Sequence, residues 1–101
     1  TGTWAEYCVA AAREVIPVRP DVPDEQAAGL IVNPLTAVAL LDEVKRRRST
    51  GYIHTAAASQ LGRMLVVLTP SRGLEGIHIV RRHSQEELLR GLGAKWVLNS
   101  E

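Results

Sequence analysis

One stretch of the sequence decides the fold: Tyr52-Ile53-His54-Thr55-Ala56-Ala57-Ala58-Ser59-Gln60-Leu61-Gly62. It predicts a short buried strand, a tight turn of small residues and the first turn of a helix. At such a turn the backbone N–H groups that begin the helix converge on one point, which suits a phosphate. Glycine at position 62 would let the new helix lie against the strand from which it comes.

The small residues of this turn have a spacing related to the dinucleotide-binding fingerprint. Ala56-x-x-Ser59-x-x-Gly62 matches that pattern with alanine and serine in place of two of its three glycines. An ordinary close-packed turn between a strand and a helix would contain the same small residues. Features elsewhere in the sequence are needed to distinguish the two interpretations.

After residue 33 the sequence alternates between helical and strand patterns. Asn33 as the cap and Pro34 begin the first helix, and the capping-box spacing of Ser84 and Glu87 begins the last, which Gly93 ends. Apolar stripes support three helices: Ala37, Leu40, Leu41 and Val44; Leu61, Met64, Leu65 and Leu68; Leu88, Leu89 and Leu92. Short strands are predicted at residues 52–55, 76–80 and 95–98. This alternation predicts the α/β class, with a partial Rossmann sheet of three parallel strands and right-handed crossovers.

The first 23 residues have a different pattern, which predicts a short β segment before the Rossmann part. Residues 3–10 alternate as a strand does, and residues 15–18 predict a second strand, at a sheet edge because of Pro17. Two strands with nothing to pack against are marginal in water. Asp24 then caps a helix with an acidic first turn.

Two arginines follow the second strand of the predicted sheet. Arg81 and Arg82 stand 19 and 20 positions after Gly62, where this fold meets the ribose of adenosine. An acidic residue there would favour NAD(H), whereas two guanidinium groups attract a 2′-phosphate. We therefore expect NADP(H), and the alternative is a pair of solvated loop arginines. Arg63 is either a further phosphate contact or an exposed helix residue.

Composition and charge exclude several classes of protein. The formal net charge of +1 over 101 residues provides no field that would attract nucleic acid or a membrane surface. No apolar run approaches the roughly 20 residues that cross a bilayer. The single cysteine, Cys8, excludes an internal disulfide and fits a reducing compartment, so we expect a cytoplasmic protein. The basic run at residues 45–48 is either a nucleic-acid contact or, as we favour, a solvated helix end.

The sequence offers no catalytic residue and no metal site. His54, His78 and His83 have no carboxylate or thiolate at ligand spacing, and we expect the first two to be structural. His83 is the one placed to assist the arginines. Cys8 and Ser59 are not predicted to be catalytic nucleophiles, because the sequence places no general base for Cys8 and the turn around Ser59 lacks the nucleophile-elbow pattern.

Five segments in this order resemble the zinc-independent medium-chain dehydrogenase/reductases, above all NADPH:quinone oxidoreductases and enoyl reductases. They are residues 2–7 (GTWAEY), 24–28 (DEQAA), 33–37 (NPLTA), 54–62 (HTAAASQLG) and 92–98 (LGAKWVL). The resemblance implies that residues 1–23 are the remnant of a GroES-like substrate domain and residues 24–101 the first half of a Rossmann nucleotide-binding domain. The cofactor-binding residues it implies are Asn33 and Thr36 near the nicotinamide, Ala56, Ala57, Ala58, Ser59, Gln60, Leu61 and Gly62 in the turn, and Arg81 and Arg82.

The resemblance implies an oxidoreductase that reduces quinones or enoyl substrates with NADP(H), of which this chain would be a fragment. Hydride transfer needs substrate and cofactor held together between two domains, so we expect no catalysis by the chain alone. The first strand would be an open sheet edge, which predicts a homodimer or association with the missing remainder of the enzyme. The alternative is a stand-alone nucleotide-binding or dimeric interaction module without catalysis. Neither nucleic acid nor a membrane is expected as a partner.

Overall fold

The computed structural model describes residues 2–101, so Thr1, where the predicted first domain begins, lies outside the described residues. Three strands form one parallel sheet in the order β1-β2-β3: β1 (Gly51–His54), β2 (Glu75–Val80) and β3 (Trp96–Asn99). The helices are α1 (Asp24–Ala27), α2 (Asn33–Arg46), α3 (Gln60–Leu68) and α4 (His83–Gly91). The predicted α/β alternation with three parallel strands is confirmed.

The core lies on one face of the sheet. Because strands alternate their side chains and both crossovers have the same hand, α3 and α4 cover the same face. The buried residues of this core come from the turn after β1, both helices and the sheet: Ala57, Val66, Val80, Leu89 and Val97. A second cluster, Ala37, Leu41 and Leu65, joins α2 to α3. Burial of these aliphatic side chains holds the turn after β1 beneath α3 and α4.

The opposite face of the sheet is apolar and bare. Ile53 is 65% exposed, Leu98 is 56% exposed and Trp96 is 50% exposed. Parallel sheets usually have both faces covered, so this face lacks its usual packing. The prediction that the strand at residues 52–55 is buried was therefore right for one face only. The predicted open edge at β1 is present, since β1 pairs only with β2 among the described strands.

The predicted strands before residue 24 are wrong. Residues 3–10 and 15–18 form no strand, and the described part of this segment has a short 3₁₀ turn at Ala12–Glu14 and a hydrogen-bonded turn at residues 19–22. Trp4, Tyr7 and Val9 are almost fully exposed. An alternating pattern forms a strand only when a neighbour completes its hydrogen bonds, and no described residue offers one.

Four details of the predicted helices also need correction. Pro23, not Asp24, is the cap of α1. Val32, not Asn33, is the cap of α2, and Asn33 is already its first helical residue. Ser84 is not a cap either, because α4 begins at His83 with Arg82 as the capping residue. Leu40, assigned to the apolar stripe of α2, is 45% exposed because no described residue covers that flank. Gly93 does end the last helix, with a φ of 96° that favours glycine.

Candidate functional site

A cleft opens at the carboxyl edge of the sheet, where parallel sheets bind ligands. Its volume is about 580 Å³, and it is lined by Thr55, Ala56, Ala57, Ile79, Val80, Arg81, Arg82, Gln85 and Ser100. The structure thus brings the start of the small-residue turn and both predicted arginines to one cleft. They are contributed by the ends of β1 and β2, which are neighbours in the sheet.

The turn is held against β2 by its own backbone. Ala57 is buried and its N–H donates to the carbonyl oxygen of Ile79 at 3.2 Å. Ala56 precedes it with a φ of 52°, in the left-handed region that alanine adopts at a cost and glycine adopts freely. A glycine-like backbone conformation is therefore present at the first fingerprint position although the residue is alanine.

Ser59 and Gly62 organise the start of α3. Ser59 is the cap, and its Oγ accepts a hydrogen bond from the Gly62 N–H at 3.1 Å. A Cβ atom on Gly62 would overlap the backbone of Ala57. Glycine is thus required for close contact between α3 and the turn, rather than with the strand as the sequence suggested.

Several N–H groups at this helix start remain free. Those of Ala58, Gln60 and Leu61 have no acceptor among the described residues. Free donors at the positive end of a helix are suited to an anion. Ala56 and Ala57 line the cleft itself, whereas Ser59, Leu61 and Gly62 line an adjoining groove that contains His54.

Arg81 and Arg82 lie at the end of β2 with exposed side chains. Neither forms a salt bridge within the described part of the chain. The Arg81 N–H donates to Oε1 of Gln85 at 3.2 Å, which ties the arginine pair to the first turn of α4. Sequence reasoning missed Gln85, although a glutamine at the third position of a helix is a known signal for such a bond.

The remaining predicted residues lie outside the cleft. Asn33 and Thr36 are at the start of α2, where Thr36 Oγ1 donates to the Val32 carbonyl at 2.8 Å. Arg63 points to a groove beside Pro34 and donates to Gln60 Oε1 at 3.0 Å. Gln60 itself lines that groove. Asn33, Thr36 and Arg63 therefore do not contribute to the cleft that contains Arg81.

The basic run has the contacts of a solvated helix end. Arg46 and Arg47 donate to the carboxylate of Glu43 at 2.7 and 2.6 Å. These two hydrogen bonds lower the pKa of Glu43 below its ordinary value. Two of the four cations are thus already paired within the end of α2.

His54 and His78 form a hydrogen-bonded pair on the neighbouring strands β1 and β2. His54 Nε2 and His78 Nδ1 lie 2.7 Å apart, and the Tyr52 ring packs against both imidazoles, with ring centroids 5.5 and 6.3 Å away. Burial, with the neighbouring His78 as a lesser cause, lowers the pKa of His54 to about 4, and burial also lowers the pKa of His78. His83 contacts Glu86 and Glu87 of its own helix. No group of three metal-ligand side chains occurs in the described chain.

The sheet order, the helices on one face and the cleft at the carboxyl edge define a Rossmann-like α/β unit. No family model matches the chain. It is similar to the solved structure of a candidate NADPH:quinone reductase from Mesorhizobium loti, with 45% identity, a TM-score of 0.86, and coverage of 99% of this chain and 29% of that one. A mycobacterial protein solved in complex with NADPH is 30% identical, with a TM-score of 0.70, over 81% of this chain and 25% of that one.

Curated relatives indicate the same group. The mitochondrial enoyl-[acyl-carrier-protein] reductase of Bos taurus is 33% identical over 105 residues, which cover 99% of this chain and 28% of the relative. The Homo sapiens enzyme of that name is 30% identical over the same share of this chain. The chain therefore belongs to the medium-chain dehydrogenase/reductase family, with quinone oxidoreductases and enoyl reductases as its relatives. It spans less than a third of the length of the relatives it matches.

No helix in the described chain has both the length and the apolar character needed to cross a membrane.

Proposed function

We propose that this chain is the NADP(H)-binding part of a zinc-independent medium-chain oxidoreductase. One observation carries the proposal: a single cleft contains the turn residues Ala56 and Ala57 together with Arg81 and Arg82. The turn suits the pyrophosphate of a dinucleotide, and the arginines suit a phosphate on its adenosine ribose. That the mycobacterial relative was solved in complex with NADPH supports the same cofactor.

The arginines favour NADP(H) over NAD(H) for an electrostatic reason. A 2′-phosphate adds about two negative charges, whereas the ribose hydroxyl that it replaces is neutral. Neither Arg81 nor Arg82 has a carboxylate partner among the described residues, so both charges are available to a ligand. At this position an enzyme for NAD(H) typically has an acidic residue that accepts from the ribose hydroxyls.

We propose that the reaction of the complete enzyme is reduction of a quinone or an enoyl substrate. NADPH, when bound, supplies the hydride. The names of the relatives support this reaction class, and the chain's share of their length is the reason to expect no turnover from these residues alone. Asn33 and Thr36, which lie outside the adenosine end of the cleft, are proposed for the nicotinamide side, and no catalytic residue is assigned.

Titration calorimetry with NADPH and NADH tests the proposed cofactor. We expect NADPH to bind at least about tenfold more tightly, because charge-assisted hydrogen bonds contribute roughly 1.5–3 kcal/mol. The affinity for NADPH should decline in buffers of rising ionic strength, since the contacts are between exposed charges. Absence of binding by both dinucleotides, or equal affinity for NADPH and NADH, would refute the proposal.

The bare face of the sheet supports a second role as an interaction surface. The exposed apolar side chains of this face form a patch that runs from Ile53 on the β1 edge of the sheet to Trp96 and Leu98 on the β3 edge. We propose that a second copy of the chain, or the remainder of the enzyme, covers this patch. Sedimentation of the chain at high micromolar concentration tests the homodimer, and a stable monomer there would exclude it.

A cytoplasmic location is also proposed. Cys8 is an exposed free thiol, which is typical of proteins in a reducing compartment. The Bos taurus and Homo sapiens relatives are named as mitochondrial enzymes, so a mitochondrial location is the alternative. Fractionation of cells that produce the protein distinguishes the two: recovery in the cytoplasmic fraction supports the proposal, and recovery with an organelle contradicts it.

A further inference from the structure

One polar side chain in the cleft has a free group that the proposed function does not yet use. Gln85 lies at the third position of α4 and lines the cleft with Arg81 and Arg82. It is half-buried, whereas both arginines are exposed. The first turn of α4 fixes the position of Gln85, and its side chain is shorter than those of the two arginines.

The hydrogen bond to Arg81 decides which way the Gln85 amide faces. A backbone N–H can only donate, so the atom that accepts from Arg81 at 3.2 Å must be the amide oxygen. The amide NH₂ group therefore lies on the other side. It has no acceptor among the described residues. Two donor hydrogens are thus left at the arginine end of the cleft.

We infer that Gln85 determines cofactor specificity by donating its amide NH₂ to the 2′-phosphate that Arg81 and Arg82 bind. The inference rests on the proposed NADP(H) function. Through its oxygen the same side chain fixes the backbone from which the Arg81 side chain extends. The Gln85 amide NH₂ thus adds a neutral donor to the site, and the Gln85 amide oxygen helps to position the charged Arg81 side chain.

The replacement Gln85→Glu separates the two contributions. A carboxylate still accepts from the Arg81 N–H, so the backbone contact is retained. It offers no donor, and its negative charge repels a phosphate. Ser84→Glu places the same charge on the neighbouring exposed residue, which does not line the cleft, and is the matched control.

The experiment measures the dissociation constants of NADP⁺ and NAD⁺ for the wild type and both variants by calorimetry. For Gln85→Glu we expect the preference for NADP⁺ to fall by about tenfold or more, because the variant loses the amide donor and places a negative charge beside the phosphate. NAD⁺ affinity should stay within about twofold, since no 2′-phosphate is involved. Ser84→Glu should leave the preference within about threefold because its charge is exposed and screened.

The outcomes distinguish this inference from the proposed function. If the wild type shows no preference for NADP⁺, the proposed function fails and Gln85 has no phosphate to recognise. If the wild type prefers NADP⁺ and Gln85→Glu retains the full preference, the proposed function stands and the inference is overturned. Equal losses in Gln85→Glu and Ser84→Glu would also overturn it. Equal thermal midpoints show that the variants are folded.

Discussion

The backbone of Ala57 occupies the space that any side chain on Gly62 would need. A Cβ atom at position 62 would meet the carbonyl oxygen, carbonyl carbon and Cα of Ala57. Ala57 is itself buried and bonded to β2 through Ile79. The turn therefore cannot move aside without loss of its contact with the sheet.

Replacement of Gly62 with alanine should destabilise the fold. Because the overlap is with backbone rather than with a flexible side chain, we expect a loss of roughly 2–4 kcal/mol. Urea unfolding followed by circular dichroism measures it. Gly91→Ala is the control, since nothing lies within 4 Å of a Cβ there and the change should be neutral or stabilising. Equal midpoints for the two variants would show that α3 does not depend on this contact.

Replacement of Ala56 with glycine should have the opposite sign. Ala56 has a φ of 52°, and release of that backbone strain should add about 0.5–1 kcal/mol to the free energy of unfolding. Ala58→Gly, in the same turn but without a positive φ, should lower the free energy of unfolding through the greater freedom of the unfolded chain. A loss of stability in Ala56→Gly as large as that in Ala58→Gly would contradict the strained turn.

Acid should weaken the fold through the histidine pair. The pKa of His54 is lowered to about 4 in the folded protein, so between pH 6.5 and about 4 the unfolded chain binds a proton that the folded protein does not. The free energy of unfolding should therefore be at its full value above pH 6.5 and decline as pH falls through this window. Urea midpoints across that range measure the slope.

A pair of histidine variants shows whether the slope belongs to the buried pair. His54→Gln should make the decline smaller, since glutamine does not titrate and only His78 of the pair remains. His83→Gln should keep it, because His83 is exposed on its own helix. If the pH dependence of the free energy of unfolding persists in His54→Gln and is lost in His83→Gln, the buried histidine pair is not its cause.

A charge on the bare sheet face should disrupt any homodimer. Leu98 is 56% exposed in the described chain, so Leu98→Lys should cost the monomer little stability. If copies associate through this face, sedimentation velocity should shift towards the monomer, because a lysine cannot be buried there without a partner. Unchanged association in Leu98→Lys would locate the interface elsewhere.

The sequence was most informative where local chemistry determines structure. The run from Ala56 to Gly62 predicts the turn, because few small residues can bring a helix start so close to a strand. The distance from Gly62 to Arg81 predicts the cleft, since one crossover of ordinary length places both at the same sheet edge.

The sequence was misleading where structure depends on a neighbour. The alternation around Tyr7 predicts a strand that does not form, because no described strand pairs with it. Ser84 and Glu87 have capping-box spacing, but the chain turns into α4 two residues before Ser84, at Arg82. The role that we infer for Gln85 depends on that observed helix start and on its hydrogen bond to the Arg81 N–H.

The central claim, that Arg81 and Arg82 recognise a 2′-phosphate, is tested most directly by removal of both charges. The measurement is the ratio of NADH to NADPH dissociation constants for the Arg81→Gln/Arg82→Gln variant. Arg46→Gln/Arg47→Gln is the control, since it removes the same net charge from a pair that is bound to Glu43 away from the cleft. We predict that the preference for NADPH falls about tenfold or more in the first variant and stays within about twofold in the second. An unchanged preference in the first variant, or equal losses in both, would contradict the assignment.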